Sequence, residues 1–362
     1  IRCGKCASAC SYHAIAFIER PCQAACGMDA IGLDENGKAR IDYDRCVSCG
    51  QCLVSCPFGA IVDKSQIFQV VRSIAEGNTV VAIVAPSFVG QFGKNVTVPK
   101  FVAAMKQLGF SDVVEVAAGA DVCAIEEARD FVEKVPAQQK FLATSCCPSW
   151  RMMARRLFPD ESGNISMTYT PMIYTARLVK HTHPGSKVVF IGPCAAKKLE
   201  AMQQELRSDV DFVLTYEELM GIFEAKAIDF SQLPDTDDLH DASGLGRGFA
   251  AAGGVAAAVE EVLRRTQPDM EVKIQRADGL RECRRLLTLA KAGKFDGYLL
   301  EGMACPGGCV AGAGTIIPAE AAKKQLDAHA KQATVFSCAE SPYRAFAGLL
   351  EEPAAREEET KR

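Results

Sequence analysis

Cys305 and Cys309 lie four positions apart in Glu301-Gly302-Met303-Ala304-Cys305-Pro306-Gly307-Gly308-Cys309-Val310-Ala311-Gly312-Ala313-Gly314, a glycine-rich stretch with few bulky side chains. Glycine lets a backbone crowd a ligand and adopt positive φ. Two soft thiolates in such a loop suit iron–sulfur chemistry. Two further loops carry cysteines: Thr144-Ser145-Cys146-Cys147-Pro148-Ser149-Trp150 and Gly192-Pro193-Cys194-Ala195-Ala196-Lys197-Lys198-Leu199-Glu200. All three loops could converge on one centre.

A separate cysteine group opens the chain. Cys46-x2-Cys49-x2-Cys52-x3-Cys56-Pro57 has the spacing of the bacterial ferredoxin run, in which three cysteines hold one 4Fe–4S cubane and the fourth reaches a second. A zinc site would favour two separated pairs. Upstream stand Cys3-x2-Cys6-x3-Cys10 and Cys22-x3-Cys26. The first of these reads as the same run with its leading cysteine missing just before Ile1, so the chain is expected to be a fragment. Nine cysteines in this region are one more than two cubanes need. Cys46, Cys49 and Cys52 are expected to share a cluster, with Cys10 or Cys26 as fourth partner; Cys3, Cys6 and Cys56 are expected at the second. Cys22 is left open between ligand and spare thiol.

The three later loops, in their order, resemble the signature segments of the FeFe hydrogenases, and the likeness extends over most of residues 79–350. The resemblance implies an H-cluster: a 4Fe–4S cubane bridged by one cysteine to a two-iron subcluster carrying carbon monoxide, cyanide and an azadithiolate. It implies Cys147, Cys194, Cys305 and Cys309 as cubane ligands, with Cys309 as the bridge. Cys146 corresponds to the proton-transfer cysteine, a role suited to a thiol because surroundings move its pKa widely. Lys197 corresponds to the lysine that grips a cyanide, and Pro86 and Ser87 to residues lining the other. Met303 is expected to pack against the two-iron unit and Phe249 to stand near it. Glu127 and Ser166 align with the family's onward proton relay. Its second glutamate falls on Asp130 and its arginine on Lys134, changes that keep charge but alter reach.

Other departures from the family pattern imply a less-studied group. Gly192 stands where many relatives have methionine, which would leave more room beside the open coordination position. Ser149 replaces a glycine, and Ala313 and Thr315 stand where glycine and glutamine are usual. Such changes around the ligands tune a metal centre. Cys123, Cys283 and Cys338 match no ligand position and read as small buried hydrophobes.

Positioning these loops requires a framework. Thr79–Val84 is a continuous apolar run ending at Ala85-Pro86-Ser87, the pattern of a strand buried on both faces. Similar runs occur at Val113–Val116, Phe141–Thr144, Val188–Ile191, Phe212–Thr215, Val272–Gln275, Gly297–Leu300 and Thr334–Ser337. Helical patterns fall between them, at Ala124–Lys134, Pro171–Lys180, Ala252–Arg265, Leu280–Ala292 and Glu320–Lys331. Such alternation predicts an α/β catalytic domain with largely parallel sheets, over residues 78–350. The cysteine loops would then follow the carboxyl ends of three strands, where open sheets place ligands. Ahead of it, residues 1–64 are expected to form an α+β ferredoxin-like iron–sulfur module, with Ala14-Ile15, Ala30-Ile31 and Ala60-Ile61 as repeated short strands. Residues 65–77 read as a connecting helix and residues 351–362 as a charged, solvated tail. Gly244-x-Gly246-x-Gly248 lacks the preceding strand a dinucleotide site needs.

The chain has 362 residues and a net charge of −4, which gives no pull toward nucleic acid or anionic membrane. No apolar run approaches the length of a membrane span, roughly 20 residues. Seventeen cysteines with C-x2-C spacings and no visible export signal favour reduced thiols, metal and a cytoplasmic location. The five histidines are scattered and read as surface or core residues. The activity implied is reversible reduction of protons to dihydrogen, with electrons from a ferredoxin or similar low-potential carrier entering through two accessory 4Fe–4S clusters. Hydrogenase maturation proteins are implied as further partners. Two alternatives are a dihydrogen-sensing relative, which would carry an added sensor domain, and a non-catalytic iron–sulfur assembly scaffold, which would lose parts of the signatures.

Overall fold

The computed structural model describes residues 6, 9–12, 14–15, 20–235, 239 and 241–350. Cys3 and the charged tail lie outside the described residues. The chain divides into two units, one comprising Ile1–Cys46 and Gln51–Val62, the other Val47–Gly50 and Asp63–Arg362.

The smaller unit contains α1 (Pro21–Ala25), an antiparallel hairpin of β1 (Ile31–Leu33) and β2 (Ala39–Ile41), and α2 (Gln51–Val54). The hairpin turn is held by Asp34, whose carboxylate accepts from Asn36 N at 3.0 Å and Lys38 N at 2.7 Å. Of the three expected Ala-Ile strands only Ile31 joins a ladder, opposite Ile41. Ala14-Ile15 and Ala60-Ile61 are not strands. Backbone donors after the cysteines have another use: Ala30 N and Ala60 N each donate to a sulfur, Cys26 Sγ and Cys56 Sγ, at 3.3 Å.

The larger unit begins with α3 (Ile67–Ala75) and β3 (Val80–Val84), followed by α4 (Val98–Leu108), β4 (Asp112–Glu115) and α5 (Ala117–Lys134). Next come β5 (Leu142–Ala143), α6 (Pro148–Leu157), α7 (Pro171–Thr182), β6 (Lys187–Gly192) and α8 (Ala196–Ala201). The remainder is β7 (Phe212–Thr215), α9 (Tyr216–Ala225), α10 (Gly244–Gly248), α11 (Gly254–Thr266), β8 (Lys273–Asp278), α12 (Leu280–Lys291), β9 (Tyr298–Met303) and α13 (Ala319–Ala330). One sheet has the order β4-β3-β6-β7, the other β5-β9-β8, and every pairing in both is parallel. In β3, Val80, Ala82 and Val84 pack into one apolar core, while Val81 and Ile83 pack into another on the opposite face. A strand covered on both sides must be apolar throughout, which is why this run does not alternate. The fold is therefore a small α+β unit followed by an α/β domain with parallel sheets.

Three elements differ from expectation. Thr334–Ser337 is not a strand: Val335 O and Phe336 O accept from Gly244 N and Leu245 N at the start of α10. Helix α5 begins at Ala117, seven residues before Ala124. Its small residues allow close contact with α7, and a Cβ at Gly119 would stand 2.3 Å from Pro171 O. Strand β9 runs on to Met303, so Glu301, Gly302 and Met303 are strand and the loop starts at Ala304. The Gly244–Gly248 cluster is a short helix capped by the Ser243 hydroxyl, which accepts from Gly246 N at 2.9 Å.

Candidate metal centre

Strands β5, β6 and β9 end at Ala143, Gly192 and Met303, and each runs directly into one of the cysteine loops. Their carboxyl ends point the same way within each sheet. The three loops meet at one cavity of about 770 Å³ of empty space, part of it open to solvent. Cys146, Cys147, Cys194, Cys305 and Cys309 all line it. Each is half-buried. Glycines let the walls close. A Cβ at Gly302 would fall 2.2 Å from the Trp150 ring, and one at Gly308 would fall 2.5 Å from Ala252 N. Trp150 is fully buried, and its indole N–H donates to Thr144 O at 2.9 Å, which fixes the turn bearing Cys146 and Cys147.

The donor set fits a cubane better than a single ion. Among the described residues no three His, Cys, Asp or Glu side chains converge closely enough for one metal ion. A four-iron core is larger, and its four thiolates stand further apart around it. Without iron these thiols hold their protons. Burial first, then the neighbouring Cys147, lifts Cys194 to about 11; burial, then Cys194 and Cys147, lifts Cys309 to about 12. Burial likewise raises Cys147, against backbone N–H donors from Trp150 and Ala304. Cys305 is raised by burial, then by Cys194, Cys309 and Cys147, and also by Cys49 in the Val47–Gly50 segment of the same unit. Were the four thiols ionised together, a cation between the sulfurs would be needed to offset their repulsion, which iron could supply.

Lys197 is the positive charge at this cavity and is only 8% exposed. Burial pulls its pKa down, but the Glu200 carboxylate, 2.6 Å from Nζ, more than offsets this and leaves it raised. Nζ also lies 3.5 Å from Cys146 O. An ammonium has three donors, so one N–H remains for an anionic ligand in the cavity. Pro86, Phe249 and Met303 line the same space. Ser87 is buried beside Pro86, and its hydroxyl is 2.9 Å from the Tyr216 hydroxyl.

On the far side of Cys146, Glu127 is completely buried and its pKa is raised to about 8 by burial, against hydrogen bonds from Ser145 N and the Ser166 hydroxyl. Ser145 N donates to Glu127 Oε1 at 3.2 Å, while Oε2 has no hydrogen-bond partner. Ser166 Oγ accepts from Thr168 N at 3.1 Å. Asp130 and Lys134 form a 2.7 Å ion pair one turn further along α5, half-exposed.

Among the N-terminal cysteines, the Cys52 thiol is raised by burial and then by Cys46 and Cys26, so these three sit close enough to feel each other's charge. Cys22 and Cys26 are buried; Cys10, Cys46, Cys49 and Cys56 are half-buried, and Cys6 is exposed. Backbone N–H groups of Phe58 and Ala60 lower the Cys56 thiol. Cys123, Cys283 and Cys338 are fully buried and do not line the cavity, although Cys283 Sγ lies 3.3 Å from O of cavity-lining Met303.

One expectation is corrected. Gly192 does not leave room: a Cβ there would stand 2.5 Å from the Phe190 ring, which occupies the space. Lys198, beside Lys197, is also only 8% exposed, and its Nζ donates to both oxygens of Glu218 at 2.9 Å. Sequence reasoning also missed Glu200, Tyr216, Phe190 and Met172. Only Glu200 left a trace, the i,i+3 spacing to Lys197 on a helix.

A family model described as "Iron only hydrogenase large subunit, C-terminal domain" matches residues 78–313, and one described as "4Fe-4S dicluster domain" matches residues 1–60. The chain is 31% identical, over 74% of its length, to NADP-reducing hydrogenase subunit HndD of Solidesulfovibrio fructosivorans, and spans about half (55%) of that relative. It is 30% identical, over 76% of its length and 85% of the relative, to the periplasmic [Fe] hydrogenase large subunit of Nitratidesulfovibrio vulgaris. Cytosolic iron-sulfur assembly component 3 of Bos taurus is 26% identical over 82% of this chain and 76% of its own. In fold it resembles apo [FeFe]-hydrogenase HydA1 from Chlamydomonas reinhardtii, with a TM-score of 0.63 and 20% identity over 81% of this chain and 96% of that one. With that model matching residues 78–313, well over half of the chain, the chain belongs to the iron-only hydrogenase large-subunit family, preceded by a 4Fe–4S dicluster domain.

Proposed function

We propose that the protein is an FeFe hydrogenase that interconverts two protons and two electrons with dihydrogen. The observation that carries this reading is that Cys146, Cys147, Cys194, Cys305, Cys309 and Lys197, drawn from three separate turns, line one apolar cavity. Cys147, Cys194, Cys305 and Cys309 would hold a 4Fe–4S cubane, with Cys309 the thiolate nearest in role to the two-iron subcluster. That subcluster, when bound, supplies the site where protons and electrons combine. The chain supplies ligation, orientation and exclusion of water. Lys197, kept charged by Glu200, holds a cyanide. Pro86, Phe249 and Met303 shape the remaining wall, with Ser87 buried next to Pro86 and bonded to Tyr216 rather than lining the cavity.

Cys146 Sγ carries protons to and from the cavity, and Glu127 exchanges them onward with Ser166 at its side. A carboxyl with a pKa of about 8 suits this task, since a relay group works best near the ambient pH. Electrons come from a ferredoxin-like carrier through two accessory clusters, held by Cys46, Cys49 and Cys52 with Cys26 or Cys10, and by Cys3, Cys6 and Cys56. Maturation proteins install the two-iron unit. The cysteine-rich chain works in a reducing compartment, which we take to be the cytoplasm.

A second reading, a non-catalytic iron–sulfur assembly protein, is favoured by the Bos taurus relative, which aligns over most of both chains. Infrared spectroscopy of anaerobically matured protein decides between them. Bands from iron-bound carbon monoxide and cyanide are expected for the enzyme; a sample with cubanes and no such bands would leave the assembly reading.

A further inference from the structure

Alternate residues of a strand share a face, so Phe190 and Gly192 stand next to each other on β6. Gly192 is not a glycine for the sake of its backbone, because its φ lies outside the left-handed region. It is a glycine for space. A Cβ at 192 would fall 2.5 Å from both Cε1 and Cζ of Phe190 and 3.1 Å from Ala85 Cβ. Real side chains do not approach that closely, so any other residue at 192 would drive the ring away. Phe190 is 3% exposed, and it lines the cysteine cavity together with Ala85, Met172 and Val116. The ring thus fills the volume that a side chain at 192 would take, and the two positions form one packing unit.

We propose that Phe190, seated on Gly192, determines how much room the cavity offers to small apolar molecules, admitting dihydrogen while restricting carbon monoxide and dioxygen. The statement about room stands on geometry alone; the statement about gases at the metal rests on the hydrogenase reading. Apolar hollows stay dry and accept apolar guests. Removing a ring from a packed wall leaves a void, because neighbours relax only partly. Here that void would open directly onto the space enclosed by the cysteines.

Crystals of the full chain carrying cubanes only, pressurised with xenon, test the first statement. Xenon is expected beside Gly192 in Phe190→Ala, and absent there in the wild type and in Phe190→Ala/Gly192→Met. Xenon at this place in the wild type, or none in folded Phe190→Ala, would overturn the proposal. If Phe190→Ala does not crystallise, thermal unfolding of the four-member set decides. Gly192→Met alone should be strongly destabilised and Phe190→Ala should restore it, a coupling expected of residues that share space; additive effects would refute the pairing. In matured protein, Phe190→Ala should need about tenfold less carbon monoxide for half-inhibition, the scale of one missing group in an apolar pocket. An unchanged value would confine Phe190 to packing and refute its part in selecting gases. Missing cyanide bands in the matured wild type would instead remove the hydrogenase reading, with the xenon and unfolding results still valid.

Discussion

Glu127 is a carboxyl kept protonated at neutral pH by the core around it, and that has a cost that depends on pH. Its folded pKa of about 8 lies above the ordinary value of 4.5. The folded state therefore binds the proton more tightly than the unfolded chain. The associated stability is whole below the unfolded value and is lost as pH climbs through about 8. Between about pH 5 and pH 9 the loss is on the order of 4 kcal/mol. Glu127→Gln removes this slope, so urea unfolding across that range should show the variant gaining on the wild type as pH rises. A constant difference at all pH values would place Glu127's pKa in the ordinary range. The same substitution should slow proton turnover by about a hundredfold or more, the usual weight of a positioned acid–base group. Lys197 offers a second residue-level test. Glu200 is 3% exposed and its oxygen is 2.6 Å from Nζ. Removing one partner of a buried pair strands the other's charge, at about 3–5 kcal/mol, whereas removing both costs far less. Lys197→Met should therefore lower the unfolding midpoint more than Lys197→Met/Glu200→Leu does.

At the scale of elements, what holds the cysteine turns in place is close packing between strand and helix. Gly302 in β9 lies against Trp150 in α6, and no Cβ fits between them. Gly302→Ala should push the indole off Thr144 O, disturb the Cys146–Cys147 turn and reduce iron per chain. Overpacking of this kind costs about 1–3 kcal/mol, and Trp150→Leu in the same chain should recover part of the loss. Equal iron content in Gly302→Ala and wild type would show that the contact does not position the turn. These contacts also explain what could be read from the residues. The apolar run Val80–Val84 announces a doubly covered strand because burial on both faces leaves no alternation. That Cys147, Cys194, Cys305 and Cys309 meet at one cavity was expected from strands that end at three cysteine loops and from the family resemblance. The first two turns of α5 were not, since Ala117-Ala118-Gly119-Ala120 is buried throughout and shows no apolar–polar periodicity to mark a helix. Nor were Thr334–Ser337, whose carbonyls are taken by the start of α10. Phe190 and Tyr216 gave no local signal, because their roles depend wholly on what folds against them.

On the scale of the whole molecule, the two units divide the work. The larger unit has both parallel sheets, the apolar cores on each face of β3 and all the cavity-lining cysteines. Among the described residues no helix is long and apolar enough to cross a membrane. A domain with its own core is expected to fold alone, so a chain starting at Asp63, which keeps all of the larger unit except Val47–Gly50, should fold and carry one cubane. Exchange of hydrogen isotopes between dihydrogen and water needs protons and the metal centre but no net electrons. Reduction of protons by an external carrier needs electron delivery as well. After maturation the shortened chain should therefore keep isotope exchange while losing carrier-driven dihydrogen evolution. If both activities fall together, the cysteine cavity depends on residues 1–62 for its assembly. If both persist, electrons enter the larger unit directly, and the dicluster domain serves another purpose.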